Sequence, residues 1–107
     1  MTRFEQEVAN KIKQEWGQYG LTEIYHHKGF HQWQMVFTFP NGYGASVINA
    51  EYSTGDKVMG RVTGYELAVM HKGKLTFQTK LTTHKNDVNI LRDKQAVLDM
   101  LNQIKAL

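Results

Sequence analysis

The sequence predicts an α+β fold: an antiparallel meander of four to five strands with an amphipathic helix at each terminus, in the order αβββββα. Three observations carry this. Apolar residues recur at helical spacing near both ends. Between them, apolar and polar residues alternate from His31 to Phe39. An Asn-Gly pair, Asn41-Gly42, follows that run, and Asn-Gly between β-rich segments favours a tight hairpin. With 107 residues, 41% of them hydrophobic, the chain can fill one core, so residues 1 to 107 read as a single domain.

Residues 2 to 16 read as the first helix. Phe4, Val8, Ile12 and Trp16 repeat every four positions with Ala9 beside them, and Thr2 with Glu5 has capping-box spacing. Gly17 and Gly20 end it. Leu21 to His27 is a short strand and Lys28-Gly29 a turn. The His31 to Phe39 strand puts Trp33, Met35, Phe37 and Phe39 on one face. If Asn41 and Gly42 are the two loop residues, Tyr43 to Ala50 returns with Phe39 facing Gly44, Phe37 facing Ser46 and Met35 facing Ile48. Large residues then lie over small ones.

Residues 51 to 60 lack periodicity and form a loop. Arg61 to Met70 and Leu75 to Leu81 make a second hairpin around Lys72-Gly73, with Ala68, Met70, Leu75 and Phe77 on its inner face. Thr82 to Asp87 is a polar connection and Val88 to Leu91 a short apolar turn. The second helix begins near Asp93, its N-cap, with Val97, Leu98, Leu101, Ile104 and Leu107 on one stripe.

Several chemistries are excluded or disfavoured. There is no cysteine, so disulfides, thiol redox chemistry and thiolate metal sites are out. No cofactor is expected: Gly42-Tyr43-Gly44 lacks the third glycine and the following helix of a dinucleotide fingerprint, and Gly55 to Arg61 lacks the ending of a phosphate loop. No apolar run is long enough for a membrane span and the N-terminus is polar at once, which predicts a cytoplasmic protein. A net charge of +3, spread along the chain, raises the odds of a nucleic-acid partner only slightly.

Three groups of residues could carry function. A Lys28-Gly29 turn sets His26 opposite His31 with His27 on the other face, but two imidazoles without further ligands do not make a tight metal site. Glu66 shares a side with Ala68 and Met70, so it must lie at the sheet rim or be turned outward. The 51–61 loop offers Tyr52, Asp56, Lys57, Met59 and Arg61, an aromatic anchor with an adaptable thioether and both charge signs, as a protein-binding surface. Alternatively, Tyr65, Thr76, Gln78 and Lys80 on the outer face of the second hairpin, with Lys72 and Lys74 at its tip, could stack on and neutralise single-stranded nucleic acid.

The run Tyr43-Gly44-Ala45-Ser46-Val47, followed by Gly64-Tyr65-Glu66-Leu67-Ala68-Val69-Met70, resembles a family of small bacteriophage and prophage proteins with a G-Y-G-A-S-V strand before a G-[LY]-[YW]-E-L-A-V-L strand. Leu75 to Thr82 and Asp87-Val88 stand for the family's third segment, and the resemblance spans roughly residues 39 to 107. It departs at Gln78 and Lys80, where the family has aspartate and proline, and by extra residues between Thr82 and Asp87. The family carries no assigned activity. The resemblance implies a small accessory protein of a mobile element, acting in the host cytoplasm. With no catalytic constellation in view, the expected function is a non-enzymatic module that binds a host protein and modulates or inhibits it, a CRISPR-type defence nuclease being one such target. The alternative is a weak nucleic-acid-binding protein.

Overall fold

The computed structural model describes residues 2–27, 32–49, 64–75 and 89–107. They form two α-helices, α1 (Arg3–Trp16) and α2 (Lys94–Lys105), packed on one antiparallel sheet. Four seven-residue strands, β1 (Leu21–His27), β2 (Gln32–Thr38), β3 (Tyr43–Asn49) and β4 (Tyr65–His71), lie in chain order across it. Two short strands, β5 (Lys74–Leu75) and β6 (Asn89–Leu91), both pair with β4. The α+β class and the antiparallel meander therefore hold among the described residues. The expected Val88–Leu91 turn is corrected: Asn89–Leu91 is a strand, paired with Tyr65–Leu67. Most of the expected Leu75–Leu81 strand lies outside the described residues.

Helix α1 opens on a complete capping box. The Thr2 hydroxyl accepts from Glu5 N at 3.1 Å and Glu5 Oε1 accepts from Thr2 N at 3.0 Å. Its buried stripe is Glu5, Ala9, Ile12 and Trp16, with Val8 half-buried and Phe4 47% exposed. A strict four-residue repeat gains about 40° per step on a 3.6-residue helix, so Phe4 rotates out of the stripe that Ile12 and Trp16 define. The place expected for Phe4 goes to Glu5, a carboxylate. Helix α2 begins as expected, with Asp93 Oδ1 accepting from Ala96 N, and buries Val97, Leu101 and Ile104.

The β2–β3 hairpin forms, but one residue out of the expected register. Phe37 faces Ala45, Met35 faces Val47 and Thr38 faces Gly44. Phe39 N donates to Tyr43 O and Gly42 N donates to Phe39 O, so the loop is the three residues Pro40, Asn41 and Gly42. Pro40 has no N–H for a ladder and suits the first corner of a turn, while Gly42 adopts φ 86°, where a Cβ would be strained. Because side chains alternate, the one-residue shift brings Ala45 and Val47, not Ser46 and Ile48, under the aromatic face. The shift carries into β4, where Leu67 and Val69 take the inner face and Ala68 and Met70 the outer, the reverse of the sequence expectation.

The core is one cluster of Ile12 and Trp16 from α1, Val97, Leu101 and Ile104 from α2, and Trp33, Met35, Phe37, Val47, Leu67 and Val69 from the sheet. Both helices thus cover the same face. Asn41 fastens the hairpin tip to the end of α2: its Nδ2 donates to Ile104 O and Lys105 O at 2.9 and 3.0 Å, and its Oδ1 accepts from Tyr43 N. The Lys72-Gly73 turn has φ of 52° and 80°, the geometry of a two-residue I′ hairpin, and Lys72 N donates to Gly42 O.

Candidate binding face

The face of the sheet opposite the helices carries Glu23, Tyr25 and His27 on β1, Gln34, Val36 and Thr38 on β2, Gly44, Ser46 and Ile48 on β3, and Glu66, Ala68 and Met70 on β4. This follows from the two-residue period once the odd-numbered positions of β2, β3 and β4 turn inward. Its polar groups are linked across strands. His27 Nε2 donates to Gln34 Oε1 at 2.7 Å, and Gln34 Nε2 donates to Ser46 Oγ at 2.8 Å. The Thr22 hydroxyl donates to Val36 O, so in its 3.1 Å contact with Thr38 it accepts. Such links fix side chains that would otherwise be free to rotate.

One row has a gap. Thr38, Gly44 and Met70 lie side by side on β2, β3 and β4, and Gly44 puts no side chain between its neighbours. The result is a hollow of about 120 Å³ walled by Glu23, Val36, Thr38, Met70 and Gly73. At its β1 side the Glu23 carboxylate pushes the Tyr25 phenol above its ordinary value, first through its hydrogen-bonding capacity, with desolvation and its charge adding in the same direction. Tyr25 is 45% exposed.

The sequence-predicted residues fall differently. Tyr52, Asp56, Lys57, Met59 and Arg61, and also Lys80, lie outside the described residues. Lys72 and Lys74 are exposed at the β4–β5 turn, as expected. Tyr65 is corrected: it is half-buried on the helix side, edge-on to Trp16 with ring centroids 5.8 Å apart, because the β4 phase is reversed. It therefore cannot share an outer face with lysines. The same reversal leaves Glu66 exposed on the outer face, with neither a rim position nor a bulge needed. His71 is half-buried and stacks on Tyr43 at 4.3 Å.

The histidine pair is also corrected. His26 faces Trp33 across the β1–β2 ladder, not His31, because the register there is set by Tyr25 facing Gln34 and His27 facing Gln32. His26 stacks on Trp33 at 4.4 Å with planes 9° apart, and its Nδ1 meets Glu5 Oε2 at 2.7 Å. A carboxylate–imidazole pair is the kind of arrangement that general-base chemistry uses. Here, however, Glu5 also closes the α1 capping box and the imidazole lies flat on a buried indole, so the pair acts as a staple between α1 and β1. Among the described residues no cluster of three or more metal-ligating side chains occurs. Calorimetric titration with zinc is accordingly expected to show no micromolar binding; such binding, lost in His26→Ala, would contradict this.

Among the described residues no helix is long and apolar enough to cross a membrane. Compared with family models, with curated proteins and with solved structures, the chain finds no match.

Proposed function

We propose that this domain is a non-enzymatic binding module that docks a partner protein on the face of its sheet opposite the helices. The observation that carries the reading is the hollow at Gly44, opposite the helices, between Thr38 and Met70. A face whose polar groups are linked across strands, with a recess sized for a side chain, is suited to accept an anchoring residue from another protein. The resemblance to small phage proteins supports a host protein as that partner, modulated or inhibited in the host cytoplasm. The 51–61 segment, outside the described residues, is a second candidate contact on the strength of its sequence.

The nucleic-acid alternative keeps Lys72 and Lys74 but loses Tyr65, which was to supply the stacking surface. Affinity capture from host extract tests the choice. Thr38→Arg fills the hollow with a long cation at an exposed position. It is expected to abolish capture while shifting the melting temperature by only a few degrees. Undiminished capture by folded Thr38→Arg would refute docking at this recess. Salt-steep binding to single-stranded DNA, weakened by Lys72→Ala with Lys74→Ala, would favour the alternative.

A further inference from the structure

Strand β1 pairs with β2 on one side and with no described strand on the other. Sheet edges are commonly protected by lysine, proline or a bulge. The segment Leu21–His27 contains neither lysine nor proline, and its irregularity is confined to Leu21–Glu23, which leaves Glu23 to His27 in regular register. Along this edge runs a groove of about 220 Å³ whose walls include Lys13, Gly17, Leu21 and Ile24.

We propose that this edge pairs antiparallel with the β1 edge of a second copy, about a two-fold axis at Tyr25, so that the two sheets become one. The register follows from chemistry. Residues opposite each other in an antiparallel pair lie on the same face, so a two-fold axis must fall on a residue rather than between two. An axis at Ile24 would draw Thr22, within the irregular stretch, into the ladder. An axis at His26 would set His27 against Tyr25 and leave Glu23 without a counterpart in the strand.

The axis at Tyr25 uses only residues 23 to 27. It sets tyrosine against tyrosine and, twice, Glu23 of one copy against His27 of the other. Acid then meets imidazole on both sides of an aromatic pair, a charge-complementary ladder with no like charges opposed. The groups are already placed for it. His27 Nε2 is held by Gln34, which orients the ring, and Glu23 and Tyr25 are both exposed on the same strand. Cross-strand pairs of this kind contribute modestly one by one, and the isologous arrangement doubles each of them. A strand laid on this edge also covers the groove beside Leu21 and Ile24.

Sedimentation equilibrium of the full chain at high micromolar concentration tests the assembly. Wild type is expected to form dimers of the 12.4 kDa chain. Glu23→Lys sets Lys against His27, and His27→Glu sets two carboxylates together, so each is expected to be monomeric with an unchanged circular dichroism spectrum. The double variant Glu23→Lys/His27→Glu re-forms the complementary pair and is expected to restore the dimer. A monomeric wild type, a dimeric Glu23→Lys, or a double variant that stays monomeric would each overturn the proposal. The readout is mass, so failure here is distinct from failure of partner capture by Thr38→Arg.

Discussion

Gly44→Ala is expected to lower the melting temperature by more than about 10 °C, the largest effect of any single methyl added to the described sheet. Gly44 lies on β3 between two paired strands, opposite Thr38 and Met70. A Cβ there would collide with the Phe37 carbonyl oxygen and come within 3.1 Å of the Phe37 carbonyl carbon and 3.3 Å of Thr38 Cα. All three are backbone atoms, so no rotamer change relieves the contact. Strands β2 and β3 would have to part where Phe37 faces Ala45 at the centre of the core. Overpacking alone costs about 1–3 kcal/mol, and the strained ladder adds to it, for a total of about 3 kcal/mol or more. Gly17→Ala is the control, since Gly17 sits at φ −57° and a Cβ there meets nothing within 4 Å. It is expected to be neutral or stabilising by a few tenths of a kcal/mol. Thermal unfolding followed by circular dichroism separates the two. A Gly44→Ala protein melting within a few degrees of wild type would mean that β2 and β3 are not packed as described.

The same glycine shows where sequence reasoning stops. The Asn-Gly pair announced a hairpin correctly, yet it did not fix the loop length, because Pro40 made three loop residues as favourable as two. One residue of register then decided everything about faces. In β2 the alternation of Trp33, Met35 and Phe37 with Gln32, Gln34 and Thr38, broken only by Val36, made the inner face legible. In β4, Leu67, Ala68, Val69 and Met70 are apolar without interruption, so the strand has no phase of its own. Its phase comes from pairing with β3, and with it the placement of Tyr65 and Glu66. The hollow could not be read in advance either, since it exists only when Thr38, Gly44 and Met70 fall in one row. Local signals fared better: the capping box at Thr2, the N-cap at Asp93 and the Lys72-Gly73 turn all depend on residues within four positions of each other.

Glu5 lies between these cases. Its capping role was visible three residues away at Thr2, while its burial depends on His26, 21 positions along the chain. Glu5→Ala is expected to cost about 2–4 kcal/mol, combining a lost helix cap of about 1 kcal/mol with a buried imidazole left without its carboxylate. The two contributions separate by substitution. Glu5→Gln keeps a side-chain oxygen for Thr2 N and a similar shape, so the cap survives and the loss is expected to fall to about half. His26→Phe keeps an aromatic ring on Trp33 but withdraws the imidazole from a carboxylate whose side chain is only 7% exposed. That substitution is expected to be the more damaging of the two, because it takes a 2.7 Å contact away from a carboxylate that stays shielded from solvent. Denaturant unfolding of Glu5→Gln, His26→Phe and the double variant closes a cycle. A coupling energy above about 1 kcal/mol is expected, since the two groups touch at 2.7 Å in a site shielded from solvent. If the single losses simply add, the contact is geometric only, and the attachment of α1 to β1 rests on Ile12 and Trp16 instead.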